Sequence, residues 1–296
     1  MLNKYRTPEL MIDIAPTNKI LRVGLIGARI QASRSPHLHE AEARAAGFSC
    51  SYQLFDLERL GVGVEALPGL LINAEAQGFA GLNITHPCKQ AVIPWLDELS
   101  DNAAAIGAVN TVVFTNGKRI GHNTDWWGFA ESFKRGLRDV ALDRVVLLGA
   151  GGAGAAIAHA ALTLGVKKLN IYDSDFARAQ TLAQQVTQRF GAERAVGLTD
   201  LTAAMAESDG LIQATPIGMM GYPGLPLPIE LLRAEQWVAE IVYFPLETEL
   251  LRQARALGCR TLDGSGMAVF QAVKAFRLFT GLVPDHERML RHFFQM

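Results

Sequence analysis

The chain alternates between short apolar runs and longer stretches in which apolar residues recur with helical spacing. Short runs rich in Val, Ile and Leu are typical of buried strands in a parallel sheet, and the longer stretches are typical of helices packed on such a sheet. We therefore expect an α/β fold. The predicted strands are 20–26, 51–55, 81–84, 109–114, 119–122, 145–148, 168–172, 194–197, 210–213, 237–241 and 260–262. The predicted helices are 36–46, 67–77, 90–96, one starting at Asp125, 155–164, 176–189, 200–207, 247–257, 267–280 and 285–294.

One stretch, residues 145–173, combines a strand, a glycine turn, a helix, a second strand and an acid. The turn has the spacing G-x-G-x-x-G. In this motif the first Gly makes the turn, the second lets a pyrophosphate approach the backbone, and the third lets the helix pack on the strand. The free N–H groups at the start of the helix face the phosphates. We therefore predict a dinucleotide cofactor contacted by Gly149, Ala150, Gly151, Gly152, Ala153 and Gly154.

The acid that ends the second strand of this unit bears on which dinucleotide binds. Asp173 lies 19 residues past the last glycine of the motif, where a carboxylate can accept hydrogen bonds from the ribose hydroxyls of NAD. The same carboxylate would repel the 2′-phosphate of NADP, which normally needs an Arg. Arg178 could be that Arg, or it could lie exposed on the helix that follows. We expect NAD, with NADP as the less favoured alternative.

With 296 residues, the chain is long enough for two domains. We expect an N-terminal substrate-binding domain at 1–124, completed by C-terminal helices within 267–296. A Rossmann dinucleotide-binding domain is expected at 125–266, with a cleft between the two. Asn116-Gly117 predicts a hairpin in the first domain. Residues 1–19 are interpreted as a polar lead-in that has no signal-peptide core.

Composition narrows the class of partner. The formal net charge of −1 gives no basic footprint for nucleic acid or for an anionic membrane, and no run approaches the ~20 apolar residues of a membrane span. Cys50, Cys88 and Cys259 match no metal-binding or disulfide spacing and suit a reducing cytoplasm. We expect a cytoplasmic protein that acts on a small molecule without a metal, as a monomer or a homodimer.

Polar side chains follow several predicted strands of the first domain, in NITHPCK at 83–89, GAVNT at 107–111 and GHNTD at 121–125. Because ligands bind at the carboxyl ends of strands in α/β domains, we expect these segments to share one pocket. Lys89 and Asp125 could hold a substrate hydroxyl there and move its proton, since burial lowers the pKa of a Lys and a carboxylate keeps it in place. Spacing alone leaves open an exposed lysine and a helix N-cap aspartate.

Taken in order, eight motifs resemble the shikimate dehydrogenase family, and within it the NAD-using quinate/shikimate branch. The resemblance covers residues 22–294. It implies reversible hydride transfer between a ring hydroxyl of shikimate or quinate and a nicotinamide, giving 3-dehydroshikimate or 3-dehydroquinate. The motifs are SRSPHLH at 33–39, NITHPCK at 83–89, GAVNT at 107–111, GHNTDWWGF at 121–129, GAGGAG at 149–154, ATPIGM at 214–219, YFPLETELL at 243–251 and DGSGMAVFQAVKAF at 263–276.

The resemblance also implies roles for individual residues. Lys89 would accept the hydroxyl proton, with Asp125 as its catalytic partner. Tyr243 would border both the substrate and the nicotinamide. The other implied substrate contacts are Ser33, Ser35, Thr85, Asn110 and Gln271. The implied nicotinamide pocket has Thr215, Pro216 and Met219 as its floor and the turn formed by Gly266 and Met267 at its edge.

Three positions depart from the family pattern. Cys88 stands where an aromatic residue usually precedes the lysine, and its thiol is expected to be reactive beside an ammonium. Gln213 stands where Asn is usual and Glu240 where Asp is usual, and both replacements are interpreted as conservative.

Several alternatives stay open at this point. Within the family they are an NADP-dependent biosynthetic enzyme and an aminoshikimate dehydrogenase. A folate dehydrogenase of similar architecture would not need the Ser33 and Ser35 pair. A non-catalytic NAD or quinate sensor would not need Lys89 and Asp125, and the sequence has no recognisable DNA-binding module.

Overall fold

The computed structural model describes residues 20–296, and the predicted polar lead-in at 1–19 lies outside them. The first of two six-stranded sheets has the order β2-β1-β3-β5-β6-β4. Its β3–β5 and β5–β6 pairs are antiparallel and its other pairs are parallel. The strands are β1 (Leu21–Gly27), β2 (Cys50–Asp56), β3 (Gly81–Ile84), β4 (Glu98–Leu99), β5 (Thr111–Thr115) and β6 (Lys118–His122).

The second sheet is entirely parallel, with the order β12-β11-β10-β7-β8-β9. Its strand order reverses between β7 and β10, and ligands bind at such a reversal in α/β sheets. The carboxyl end of β7 carries the glycine turn. The strands are β7 (Arg144–Leu148), β8 (Lys168–Tyr172), β9 (Ala195–Leu198), β10 (Gly210–Gln213), β11 (Trp237–Glu240) and β12 (Arg260–Leu262).

Helices cover both sheets, as the α/β prediction requires. None of the helices in residues 20–296 is long and apolar enough to cross a membrane. The helices are α1 (Ser35–Ala45), α2 (Leu57–Leu60), α3 (Leu67–Ala76), α4 (Cys88–Ala91), α5 (Asp101–Ile106), α6 (Asp125–Gly136), α7 (Gly152–Thr163), α8 (Phe176–Phe190), α9 (Thr202–Ala206), α10 (Glu249–Leu257), α11 (Ser265–Thr280) and α12 (His286–Gln295). Single 3₁₀ turns occur at Val64–Ala66, Ile93–Trp95 and Ile229–Leu231.

The predicted helix at 90–96 is wrong in its bounds and in its continuity. Helix α4 ends at Ala91 and a separate 3₁₀ turn follows at Ile93–Trp95. Pro94 explains the break, because it has no N–H to continue the helical hydrogen bonds. The short elements α2, β4 and α5 were not predicted. The predicted hairpin is confirmed, with Thr115 paired to Lys118 across Asn116-Gly117.

Helices α6 and α11 cross with their backbones in contact. A Cβ on Gly128 of α6 would lie 2.7 Å from the backbone N of Gln271 on α11. At one end of α11 the Met267 side chain packs in the core beneath the second sheet. At the other end Phe279 packs with Val23 of the first sheet. Helix α11 therefore ties the two sheets together, while the domain bounds at 124 and 125 stay a prediction.

A buried carboxylate fastens the last helix to the first. Glu42 of α1 accepts two hydrogen bonds from the Arg288 guanidinium of α12, at 2.8 and 2.7 Å. The backbone N–H of Asp285 donates a third, at 2.8 Å. Glu42 is buried, whereas the Arg288 side chain is partly exposed. Because a buried carboxylate needs compensating donors, this contact is expected to contribute to stability.

Arg288→Met is expected to lower the free energy of unfolding by about 3 kcal/mol, because it leaves Glu42 buried with a single donor. Urea denaturation measures the change. Arg291→Met, on the exposed side of the same helix, is the matched control. Equal unfolding free energies for the two variants, within about 0.5 kcal/mol, would show that the buried pair contributes nothing.

Candidate active site

A lysine and an aspartate from different elements form an ion pair at the carboxyl edge of the first sheet. Lys89 lies on α4, just after β3, and Asp125 is the first residue of α6, just after β6. The Lys89 Nζ lies 2.7 Å from the Asp125 Oδ2. Their side chains are 19% and 8% exposed. An ammonium has three donors, so a substrate hydroxyl can still bond to Nζ beside Asp125.

Two asparagines hold Asp125 in position. The Asn110 Nδ2 donates to the Asp125 Oδ1 at 2.9 Å, and the Asp125 backbone N–H donates to the Asn123 Oδ1 at 3.1 Å. Asn110 is buried, and its Oδ1 accepts from the backbone N–H of Thr124 at 2.7 Å. Asn110 therefore orients the carboxylate, and its predicted contact with substrate stays a prediction.

The same lysine lies against the glycine turn of the second sheet. A Cβ placed on Gly152, the first residue of α7, would lie 3.7 Å from both the Cβ and the Cδ of Lys89. The Lys89 carbonyl also accepts from the Val109 N–H at 2.8 Å, which fixes the backbone beneath the side chain. The ion pair and the predicted dinucleotide site are therefore adjacent.

The geometry of the glycine turn fits a pyrophosphate. Gly149 has a φ of +98°, which only glycine adopts readily. A Cβ on Gly154 would lie 2.0 Å from the Gly149 carbonyl oxygen, so the third glycine permits the close packing of helix on strand. Around Gly151 no atom lies within 4 Å of a Cβ position, which leaves the turn open. The first N–H groups of α7 have no partner within the helix and carry the positive end of its dipole.

Asp173 fastens this turn from the end of β8. Its Oδ2 accepts from the Ala150 N–H at 2.8 Å, and its Oδ1 accepts from the Asp175 N–H at 2.9 Å and from the Arg178 guanidinium at 2.8 Å. Burial alone would raise the pKa of Asp173, but the two N–H groups and the Arg178 charge outweigh it and hold the pKa below 3.8. Arg178 therefore lies beside the predicted ribose contact.

A buried glutamine shapes the loop after β10. The Gln213 Nε2 donates to the Thr215 Oγ1 at 2.7 Å and to the Ile217 carbonyl at 2.9 Å, and its Oε1 accepts from the Thr215 N–H at 3.1 Å. Thr215, Pro216 and the exposed Met219 follow β10, the strand that pairs with the strand before the glycine turn. Gln213 was interpreted only as a conservative replacement. Its role in holding the loop could have been predicted, because a long polar side chain at the end of a fully buried strand needs hydrogen-bond partners nearby.

The predicted substrate contacts lie at the carboxyl ends of β1 and β3. The Ser35 N–H donates to the Ser33 Oγ at 3.3 Å where α1 begins. Thr85 follows β3 and packs closely on Gly27, the last residue of β1. A Cβ added to Gly27 would lie only 2.3 Å from the Thr85 Cγ2. The Tyr52 hydroxyl donates to the Asn83 Oδ1 at 2.9 Å, and burial raises the pKa of Tyr52 while the Ser35 hydroxyl opposes that rise. Ser33, Ser35 and Thr85 therefore share one edge of the sheet.

Tyr243 reaches the same cleft from the second sheet. It follows β11 and is 38% exposed. Its partial burial raises its pKa, and the negative charge of Asp125 raises it further. The charge of Asp125 in the ion pair therefore reaches Tyr243. Gln271, on α11, uses its Nε2 to donate to the Ala268 carbonyl at 3.0 Å.

Comparison with known proteins decides the family. One family model, described as the shikimate dehydrogenase substrate binding domain, matches residues 25–112, and another, described as shikimate / quinate 5-dehydrogenase, matches residues 131–218. A shikimate dehydrogenase (NADP(+)) of Streptomyces avermitilis is 59% identical over 90% of this chain and 93% of its own length. The chain belongs to the shikimate dehydrogenase family. It is an oxidoreductase of a family whose members use NAD or NADP.

Other similar proteins are named as enzymes that use NAD instead of NADP. A quinate/shikimate dehydrogenase (NAD(+)) of Corynebacterium efficiens is 48% identical over 93% of this chain and 98% of its own length. The solved quinate dehydrogenase of Corynebacterium glutamicum in complex with NAD superposes with a TM-score of 0.88. It is 47% identical, over 94% of this chain and 100% of that one. A pyridine nucleotide is therefore the cofactor class, and both forms occur among similar proteins.

Two predictions about the dehydrogenase site are corrected. Cys88 is fully buried, and burial raises the pKa of its thiol to about 11, so the expected reactive thiol is wrong. Gly266 and Met267 lie within the first turn of α11 and do not form a separate turn. A Cβ on Gly266 would lie 2.2 Å from the Ser132 Oγ, and Met267 is buried. Their contact with the nicotinamide stays a prediction.

Proposed function

We propose that this dehydrogenase is an NAD-dependent shikimate/quinate dehydrogenase of the cytoplasm. The observation that carries the proposal is the 2.7 Å pair of Lys89 and Asp125 beside Gly152. A hydroxyl held by Lys89 would lie within reach of a cofactor bound at the glycine turn. The three cysteines are free thiols, which fits a reducing compartment.

Oxidation of a ring hydroxyl releases a hydride and a proton, and Lys89 is placed to take the proton. A bound nicotinamide supplies the hydride acceptor. The neutral amine of Lys89 accepts the hydroxyl proton as the C–H bond breaks, and its ammonium returns the proton when the ketone is reduced. Asp125, held by Asn110, fixes the position of Nζ and favours the ammonium that forms.

We propose that the substrate carboxylate binds at the start of α1. Ser33 and Ser35 are the proposed hydroxyl donors, and Thr85, Gln271 and Tyr243 are proposed to contact the carboxylate or the ring hydroxyls. The 48% identity to a quinate/shikimate dehydrogenase supports this substrate class. The second candidate is an NADP-dependent shikimate dehydrogenase, because the relative at 59% identity carries that name.

Steady-state kcat/KM for shikimate and for quinate, each with NAD and with NADP, tests the proposed function. The expected result is oxidation of at least one of the two acids, with the higher kcat/KM in the presence of NAD. Oxidation with NADP preferred would move the assignment to the second candidate. Absence of activity on both acids with both cofactors would overturn the proposed function.

Asp173→Asn is expected to narrow the preference for NAD by about tenfold, because it removes the charge facing the 2′ position while keeping acceptors for the Ala150 N–H. Arg178→Met is expected to raise KM for NADP more than KM for NAD, since a 2′-phosphate would approach that guanidinium. The measurement is kcat/KM for both cofactors at saturating shikimate.

Asp200→Asn is the matched control for the cofactor experiment. Asp200 also accepts from a backbone N–H two residues ahead, that of Thr202 at 3.0 Å, but in an exposed loop after β9. We expect it to leave the ratio of the two kcat/KM values unchanged. An unchanged ratio in Asp173→Asn as well would remove Asp173 from cofactor selection.

A further inference from the structure

Arg34 lies between the two serines and is fixed by the C-terminal helix. Its guanidinium stacks 4.7 Å from the centre of the Phe293 ring. Its Nη1 donates to the Phe293 carbonyl at 3.2 Å. Phe293 lies on α12 and is fully buried. The arginine is therefore held against a buried aromatic ring, although its own side chain is partly exposed.

The same ring connects Arg34 to the reacting centre. The Tyr243 ring packs edge-on against Phe293, with ring centres 6.4 Å apart. The positive charge of Arg34 lowers the pKa of Tyr243, against the larger effects of burial and of the Asp125 charge. The charges of Arg34 and Asp125 therefore act on the same side chain, Tyr243, with opposite effects on its pKa.

Arg34 has no carboxylate partner among residues 20–296, where its contacts are the ring and the carbonyl of Phe293. Arg135 provides a comparison. Its guanidinium stacks at a similar 4.8 Å on Phe270, but its charge is matched by Glu287 at 3.2 Å. The charge of Arg34 is therefore available to an anion that enters the cleft, and the charge of Arg135 is already neutralised.

We propose that Arg34 is a specificity-determining residue that selects substrates bearing a carboxylate. This inference rests on the proposed function, in which Ser33 and Ser35 bind that carboxylate. The two hydroxyls supply hydrogen bonds that a neutral ester could also accept. Arg34 supplies a positive charge, which attracts a carboxylate but not a neutral ester. The start of α1 adds the positive end of a helix dipole to the same place.

The Phe293 ring reduces the free-energy cost of keeping the Arg34 guanidinium without a carboxylate partner. Stacking on an aromatic ring compensates part of the desolvation of a guanidinium without cancelling its charge. A carboxylate partner within the protein would hold Arg34 equally well but would oppose substrate binding. Phe293 therefore acts as a positioning residue for Arg34, and α12 contributes to the substrate site from the end of the chain.

The test compares shikimate with its methyl ester, which has the same ring but no charge. The variants are Arg34→Met, Arg34→Gln, which can still donate to the Phe293 carbonyl, Arg34→Lys, and the control Arg135→Met. In the wild type, kcat/KM for shikimate should exceed that for the ester. In Arg34→Met and Arg34→Gln this ratio is expected to fall about tenfold, through KM for shikimate, with KM for the ester little changed.

Arg34→Lys should restore most of the ratio, and Arg135→Met should leave it unchanged. A merely structural role would lower activity on acid and ester together, so an unchanged ratio in both uncharged Arg34 variants would overturn the inference. Thermal unfolding and NAD binding identify any variant that does not fold. If the wild type oxidises neither shikimate nor quinate, the proposed function itself fails, which is a separate outcome.

Discussion

Replacing Lys89 by Met is expected to lower kcat for shikimate oxidation by about 10²–10⁴-fold, the usual contribution of general acid–base catalysis. Met keeps the length of the side chain and removes both the amine and its bond to Asp125. Lys89→Arg should lose a similar factor, because a guanidinium keeps the charge but does not give up its proton near neutral pH. Binding of NAD, followed by fluorescence, should persist in both variants.

Lys118→Met provides the control for this experiment. Lys118 also forms an ion pair with a carboxylate, that of Glu98. Both of these side chains are exposed, at the starts of strands β6 and β4. Its kcat should equal that of the wild type. A near wild-type kcat in Lys89→Met, with only KM raised, would make Lys89 a binding residue and would require another acceptor for the proton.

Glu240 is expected to make the free energy of unfolding fall as the pH rises. It is 2% exposed at the end of β11, where its Oε1 accepts from the Val242 N–H at 2.9 Å and its Oε2 bonds the Thr248 hydroxyl at 3.2 Å. Burial raises its pKa from 4.5 to about 8, against the opposing effect of these bonds. The folded chain therefore keeps a proton that the unfolded chain has lost, and between these two pH values stability decreases with pH.

Glu240→Gln removes the charge and keeps a side chain of the same shape. Near pH 4 the wild type and the variant should unfold with similar free energies. Above pH 8 the variant should be more stable by about 5 kcal/mol, since each unit of pKa difference corresponds to about 1.4 kcal/mol. Urea denaturation across this range measures the difference, with the exposed Glu230→Gln as the control. Parallel pH profiles for wild type and Glu240→Gln would contradict the raised pKa.

The strands, the glycine turn and its acid were predictable because each is encoded in neighbouring residues. The run at 145–148 is too short for a helix and too apolar for a surface strand, so its burial follows from composition. The steric demand at Gly149 and Gly154 is likewise local, since only a residue without a Cβ fits there. Local patterns of this kind determine most of the fold.

The short elements were missed where local signals were present but weak. Helix α5 has six residues, too few to show a helical period. Its ends are nevertheless marked in the sequence. The Ser100 Oγ accepts from the Ala103 N–H at 3.4 Å, and Gly107 ends the helix with a φ of +68°. A search for capping residues would have found it.

The remaining parts of the site depend on contacts between distant residues, which one sequence does not display. Arg34 meets Phe293 across 259 positions of the chain, and nothing near either residue indicates the other. The burial of Cys88 was also not predictable from nearby residues. Its neighbour in sequence is a charged lysine, whereas its neighbours in space are apolar. The resemblance named the catalytic pair, and the 2.7 Å distance between Lys89 and Asp125 came only with the structure.

Rescue of Lys89→Ala by a small primary amine tests the central claim most directly. The claim is that the amine of Lys89 takes the proton of a ring hydroxyl while hydride passes to the nicotinamide. The measurement is the rate of cofactor reduction by this variant with saturating shikimate and NAD, as methylamine is added at constant ionic strength and pH. We expect the wild type to reduce the cofactor, the variant to be slower by about 10²–10⁴-fold without added amine, and the rate of the variant to rise with the concentration of free amine. A variant that turns over as fast as the wild type without any added amine would contradict it.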